Sequence, residues 1–294
     1  MAEADHKRLY ALLPTGAQRI QLDPLPEPFY DLYKGVRPGI YEAGRIFDGG
    51  RMFGFCMHQE RMHAGIQAHG FEPALTDPEL RRALQQAIDE FPSDSIKLRW
   101  DISPEPYATL HTPARMIATL TPRLPLVDWI IEKGVHLSLT TKLQRDQPTT
   151  KGAAFALKRN SISFGCRENY EPVMVDPQGY LLEGLMSNFG AILRGRLHAN
   201  PNKVLPGITI RTILKLAEQS GLEVVREPIH RDDLDHVEEA FLCSSIRGLV
   251  CATKIDGHVI GSGLPGQRFK ALAQRYAQYE EAHAKRLWPV KFEQ

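Results

Sequence analysis

Two prolines, Pro122 and Pro125, punctuate the stretch TPRLPLVDW (residues 121–129) and disfavour continuous helix or sheet there. Helices and strands mix before this stretch, and strands dominate after it. Upstream, GIYEAGRIFDGGRMFGF reads as two strands around the turn Asp48-Gly49-Gly50. CMHQERMHAGIQAHG reads as a helix closed by Gly70, and DPELRRALQQAIDEF as a second helix with Asp77 as N-cap and Pro78 at its first position. SIKLRWDIS and ARMIATL have strand character. Downstream, EPVMVDPQGYLLEGL and NFGAILRGRLHA read as hairpins, and LEVVREPI, EAFLCSS, LVCATKI and HVIGSG as short strands. GITIRTILKLAEQSG has helical spacing and ends at Gly221, and the last helix is QRFKALAQRYAQYEEAHAKRL. The expected fold is α+β in two domains: a smaller α/β domain over 1–122, a linker over 123–132 and a β-rich domain over 133–294.

Composition narrows the function. The chain has 294 residues, 43% hydrophobic and 24% charged, as soluble globular proteins do. A net charge of +1 gives no support to nucleic acid or an anionic membrane surface as partner. The apolar runs are too short or too interrupted to span a bilayer, and MAEADHKRLY lacks the apolar core of a secretory leader. The four cysteines, Cys56, Cys166, Cys243 and Cys251, form no C-x-x-C pair, so neither a metal site nor a disulfide framework is expected. A cytoplasmic protein is the expectation.

Several stretches carry residues suited to chemistry. GYLLEGLMSNFGAI (179–192) holds one acid, Glu183, in an otherwise uncharged run. Burying a carboxylate costs several kcal/mol unless it is paired, so Glu183 either faces solvent or has a partner. In VLPGITIRT, Pro206-Gly207 precedes a helix whose first amides belong to Ile208 and Thr209. Such a place is either an ordinary helix start or a phosphate site. Ser244 and Ser245 either bind phosphate or cap a turn. His58 and His63 miss the i, i+4 spacing of a helical zinc pair and read as exposed or locally bonded, with Arg61 between them a surface charge by default. Lys151 is either a solvated loop lysine or, in an apolar pocket, an amine nucleophile. Lys158 and Arg159 read as the solvated face of the same segment. GSGLPG (261–266) matches G-x-G-x-x-G, but only a helix's worth of chain follows it, which favours a strand-to-helix turn over a dinucleotide loop.

Taken in order, these stretches resemble the class IV aminotransferases, the fold-type IV enzymes dependent on pyridoxal phosphate, which include branched-chain and D-amino-acid aminotransferases and aminodeoxychorismate lyases. HQERM resembles H-x-x-R-L, TKGAAFAL the segment with the Schiff-base lysine, and DPQGYLLEGLMSNFGAI the block D-x-x-G-x-x-x-E-G-x-x-x-N-[IL]-F. LPGITIR is similar to L-P-G-I-T-R, and EEAFLCSSIRG to D-E-[VA]-F-L-T-[GS]-[TS]. Lys151 lies 183 − 151 = 32 positions before Glu183, a spacing that fits the family better than the 25 positions from Lys158.

The resemblance implies a smaller amino-terminal domain, a barrel-like carboxy-terminal domain and a homodimer. It implies Lys151 as the catalytic lysine and Glu183 as the partner of the cofactor's ring nitrogen. Arg61, the amides near Ile208 and Thr209, and Ser244 with Ser245 would hold the phosphate. Tyr41 and Arg99 are substrate-side candidates, although an arginine exposed at a strand edge would suit Arg99 as well. The expected reaction moves an amino group from an amino acid or amine to a 2-oxo acid. A lyase of the aminodeoxychorismate type, or a cofactor-binding protein without turnover, stands as the alternative. The chain departs from the family pattern in lacking D-R-G-[FY], in Ile210 and Cys243 at motif positions, in Pro104-Glu105 for Arg-Gly, and in Ala156 where branched-chain enzymes carry tyrosine.

Overall fold

The computed structural model describes residues 7–22, 35–166 and 168–289; the opening MAEADH lies outside them. Contacts divide the chain into two compact units. One comprises Met1–Leu124, Thr150–Leu157 and Glu281–Gln294, and the other Pro125–Thr149 and Lys158–Glu280. The sequence division into contiguous domains differs in placing 150–157 and 281–294 with the carboxy-terminal half.

The first unit is built on an antiparallel sheet of β1 (Arg8–Leu13), β2 (Gly16–Ile20), β3 (Ile40–Phe47), β4 (Arg51–Met52), β5 (Ile96–Ile102) and β6 (Met116–Pro122). Its order is Lys285–Arg286, then β4-β3-β5-β6-β1-β2. Side chains alternate between faces along each strand. Ile40, Ile46, Leu98, Trp100, Ala118 and Tyr10 therefore share one face, with helices α1 (Phe55–His69) and α2 (Asp77–Asp89) completing that core. Leu9, Tyr41 and Ile117 share the opposite face, where Ala153 and Ala156 join Tyr107 and Leu110. That packing is why Thr150–Leu157 groups with this unit. It is reinforced by backbone bonds from Tyr41 N to Lys151 O (3.0 Å) and Ala153 N to Gly39 O (2.8 Å).

Two expectations are corrected here. The N-cap of α2 is Thr76, whose backbone is extended and whose N–H donates to Glu79 Oε2 at 2.8 Å; Asp77 is already helical. The last helix stops at Ala282, and Lys285–Arg286 adds to the sheet beside β4. Tertiary bonds override helical periodicity there: Arg286 binds Asp89 at 2.6 and 2.9 Å, and Leu287 N donates to Gln85 Oε1 at 2.8 Å.

In the second unit the proline stretch stays extended only to Val127. It then enters a short helix, α3 (Asp128–Lys133), inside the residues expected as linker. The strands are β7 (Val135–Leu137), β8 (Leu139–Thr140), β9 (Val173–Val175), β10 (Leu181–Gly184), β11 (Asn188–Leu193), β12 (Arg196–His198), β13 (Val224–Val225), β14 (Val237–Ser244), β15 (Gly248–Ile255) and β16 (His258–Val259). The helices after α3 are α4 (Ala153–Arg159), which begins in the first unit, α5 (Ile208–Gln219) and α6 (Gln267–Ala282). A three-stranded sheet runs β10-β9-β8, and a larger one β13-β12-β11-β14-β15-β16 with β7 beside β15. One core cluster includes Val173, Leu181, Phe189 and Leu242; another packs α5 and α6 on Ile192, Leu197, Phe241 and Cys251.

GSGLPG forms a strand-to-helix turn, with Gly261 (φ 55°) and Gly263 (φ 76°) in the left-handed region. Glu239 closes the helix start that follows, accepting from Arg268 N and Phe269 N. No helix among the described residues is long and apolar enough to cross a membrane.

Candidate active site

In the first unit, strand alternation sorts the candidate residues onto the two faces of the sheet. Register pairs Tyr41 with Asp101 and Ala43 with Arg99 across β3 and β5. Tyr41, Arg99 and Asp101 therefore share one face. Arg99 grips Asp101 in a bidentate pair, Nε to Oδ2 at 2.8 Å and Nη2 to Oδ1 at 2.7 Å, and its guanidinium lies 4.0 Å from the Tyr41 ring centroid. Lys151 Nζ lies 5.2 Å from the same ring. Both side chains thus lie within cation–π range of the Tyr41 ring, whose faces carry the negative part of the quadrupole. β5 is an interior strand of the sheet, so Arg99 is not an exposed edge residue.

One residue along β3, Glu42 points to the opposite face and is fully buried. Its carboxylate accepts from Arg61 Nε at 2.8 Å, Arg61 Nη2 at 2.7 Å and His58 Nδ1 at 2.7 Å. Burial pushes the Glu42 carboxyl pKa up. The Arg61 charge and the hydrogen bonds from Arg61 and His58 more than offset that, and hold it well below the usual carboxylate range. Burial also dominates at His58 and pushes its imidazole below the ordinary value, with Glu42 opposing. A neutral His58 donating through Nδ1–H suits both, because its Nε2 is buried without a hydrogen-bond partner. The surface readings of His58 and Arg61 are therefore corrected: both are buried and face Glu42. His63 is half exposed and pairs with Asp77 at 3.1 Å.

In the second unit Glu183 is 2% exposed, which answers the question its setting raised. Arg145 Nε donates to its Oε1 at 2.6 Å, Leu205 N to the same oxygen at 3.1 Å, and Asn188 Nδ2 to Oε2 at 3.1 Å. Asn188 also donates to Leu205 O at 2.8 Å. A Cβ on Gly207 would lie 1.8 Å from Asn188 Oδ1, so only glycine lets the segment before α5 come this close. The hold on Glu183 and the start of α5 are thereby one construction.

Gly207 caps α5 without a side-chain hydrogen bond, unlike the start of α6, which Glu239 closes. Thr209 Oγ1 lies 3.4 Å from Ser245 Oγ, and Ser244 Oγ accepts from Arg247 N at 3.4 Å. Amides at the positive end of a twelve-residue helix, with two hydroxyls beside them, form a donor set for a phosphate. With the buried carboxylate held nearby in the same bond network, the residues fit pyridoxal phosphate.

The predicted residues fall into two groups. Tyr41, Arg61, Arg99 and Lys151 belong to the first unit, and Glu183, Ile208, Thr209, Ser244 and Ser245 to the second. Lys158 is solvated and pairs with Asp146, whereas Arg159 is buried and donates to Leu185 O at 3.1 Å, contrary to its solvated reading. Sequence reasoning passed over Glu42, Asp101, Arg145 and Glu171. Glu42 lay in plain sight in GIYEAGR, an acid between apolar neighbours like Glu183.

An α/β unit onto which a lysine segment packs, and a β-rich unit with a buried glutamate beside a helix start, are the features expected of a fold-type IV pyridoxal-phosphate enzyme. The structure matches the branched-chain amino acid aminotransferase of Escherichia coli at a TM-score of 0.75, with 18% identity, covering 98% of this chain and 100% of that one. It matches a branched-chain amino acid aminotransferase solved with pyridoxamine 5′-phosphate at a TM-score of 0.78, with 16% identity, covering 96% of this chain and 99% of that one. The family model for aminotransferase class IV matches residues 39–255, and the chain belongs to that family. Among relatives, the branched-chain-amino-acid aminotransferase of Pseudomonas aeruginosa is 33% identical over 273 residues, 84% of this chain and 86% of that one. The D-alanine aminotransferase of Bacillus licheniformis is 25% identical over 78% of this chain and 82% of that one. The chain is a class IV aminotransferase, and its cofactor is pyridoxal phosphate.

Proposed function

We propose that this enzyme moves an amino group from an amino acid or amine to a 2-oxo acid, with Lys151 as its reactive amine. The observation that carries the reading is Glu183, a carboxylate buried beside the start of α5 and held by Arg145, Asn188 and the Leu205 amide. Pyridoxal phosphate, when bound, supplies an aldehyde that condenses with amines and a ring that takes up electrons from the substrate Cα. Glu183 keeps a proton at the ring nitrogen. Arg61, the Ile208 and Thr209 amides, Ser244 and Ser245 bind the phosphate. Lys151 removes the proton from the substrate Cα and returns it at the other end of the transfer. Tyr41 and Arg99 orient the substrate carboxylate. The working assembly is a homodimer in the cytoplasm.

The test is a donor screen with the purified protein and added cofactor. L-amino acids, D-amino acids and chiral amines are each paired with a 2-oxo acid acceptor, and both products are quantified. Stoichiometric amino product and keto product from one donor class is expected. Pyruvate released from aminodeoxychorismate, or a bound chromophore inert to every donor, would contradict the reading.

A further inference from the structure

Glu171 plays no part in the roles above, yet it is fully buried and surrounded by donors. Its Oε1 accepts from Met186 N at 2.7 Å. Its Oε2 accepts from Ser187 Oγ at 3.1 Å and from Arg247 Nη2 at 2.6 Å. Arg247 also bonds Ser187 Oγ and lies 5.3 Å from the Tyr170 ring centroid. A Cβ on Gly184 would lie 2.3 Å from Glu171 Oε1, so the chain is pressed against this carboxylate directly after Glu183.

These contacts join two turns. Leu185–Ser187 connects β10, which carries Glu183, to β11. Ser245–Arg247 connects β14 to β15 and begins with a phosphate-side hydroxyl. Asn188 pairs with Cys243, so both turns leave the sheet at the same end. Arg159 grips the first turn as well, through Leu185 O. With Glu171 fully buried and Arg247 a fifth exposed, this ion pair costs desolvation that a hydrophobic pair would avoid, and the best-attested use of such pairs is to fix a register.

We propose that Glu171 and Arg247 are positioning residues that brace the phosphate-side turn Ser245–Arg247 against the turn following Glu183. The inference rests on the reading of Thr209, Ser244 and Ser245 as phosphate-side groups. The brace sets where the Ser245 hydroxyl and its backbone stand relative to Glu183, and so governs the enzyme's preference for the phosphorylated cofactor. Neither residue moves a proton in the reaction.

The test compares the affinity of the full-length apoenzyme for pyridoxal 5′-phosphate and for pyridoxal, by absorbance titration. Substituting one partner alone strands a buried charge, so the informative variant is the double substitution Glu171→Gln with Arg247→Met, which leaves net charge unchanged. Its folding is checked by near-UV circular dichroism. The expected result is a loss of roughly tenfold or more in the preference for the phosphorylated form, with pyridoxal affinity little changed. Should the double variant not fold, Arg247→Lys replaces it and is expected to lose preference in the same direction. Ser245→Ala, run alongside, separates the two claims. A preference lowered in Ser245→Ala but intact in the brace variant overturns the brace and leaves the phosphate reading standing. A preference intact in both overturns the phosphate reading, and the brace with it. A fall in the brace variant alone upholds the brace and shifts the phosphate contact from the hydroxyl to the turn's backbone.

Discussion

In the proposed reaction Glu183 keeps the cofactor's ring nitrogen protonated, a role that an acid can fill and an amide cannot. Glu183→Gln preserves shape and removes no phosphate-side group, so cofactor binding is expected to persist, although Arg145 loses its ion pair and an NH2 replaces one accepting oxygen. The single-turnover rate of amino-group transfer from a donor should fall about 10²–10³-fold, by analogy with loss of one preorganised donor at a reacting centre. Equal rates at equal cofactor occupancy would show that Glu183 is not the ring's partner. Glu42 and His58 make a second, pH-dependent prediction. Both have folded-state pKa values below their ordinary ones, 4.5 and 6.5, so the unfolded chain binds more protons. The stability contributed by His58 is complete above the ordinary imidazole range and declines as pH falls through it. That of Glu42 is lost only below the ordinary carboxylate range. Urea unfolding from neutral to mildly acidic pH should show the decline. His58→Asn, whose amide can donate where Nδ1–H does but gains no proton, should flatten its first part.

Among the elements, α5 shows how far sequence reaches. Pro206-Gly207 and the apolar spacing after it made the helix and its start legible, because caps and periodicity are local properties. Illegible was the reason for the glycine, since Asn188 approaches it only in the folded chain. Gly207→Ala should drive Asn188 off Glu183, lowering stability by about 1–3 kcal/mol as overpacked sites do and weakening cofactor retention. Unchanged unfolding and titration curves would mean the contact is not tight. The same limit explains Lys285–Arg286, read as helix from local pattern and recruited as a strand by Asp89 and Gln85. It also explains His58 and Arg61. Their helix has polar residues on both sides, and only Glu42 on a distant strand tells which side is buried.

At the scale of the molecule, the ordered motifs made family, fold type and cofactor legible from sequence, because each motif is local and its order is set by the chain. The grouping of Thr150–Leu157 with the first unit was not legible, because Ala153 and Ala156 meet Leu9, Tyr41 and Ile117 across long stretches of sequence. The thiols test the packing of the whole chain. Cys56 and Cys166 are exposed and Cys243 and Cys251 buried, the Cys251 thiol pushed up to about 12 by burial. A thiol-exchange reagent should modify two cysteines in the native protein and all four in denaturant. Four fast thiols in the native protein would contradict the buried assignments.

Lys151 is where fold, family and chemistry meet, and it can be tested by a single covalent label. Purified protein loaded with pyridoxal phosphate is reduced with borohydride, digested, and its peptides mapped by mass spectrometry. The pyridoxyl mass should sit on Lys151, within the stretch DQPTTKGAAFALK, and Lys151→Ala should take up none. A label on Lys142 or Lys158, or one retained by Lys151→Ala, would contradict the assignment of Lys151 as the enzyme's reactive amine.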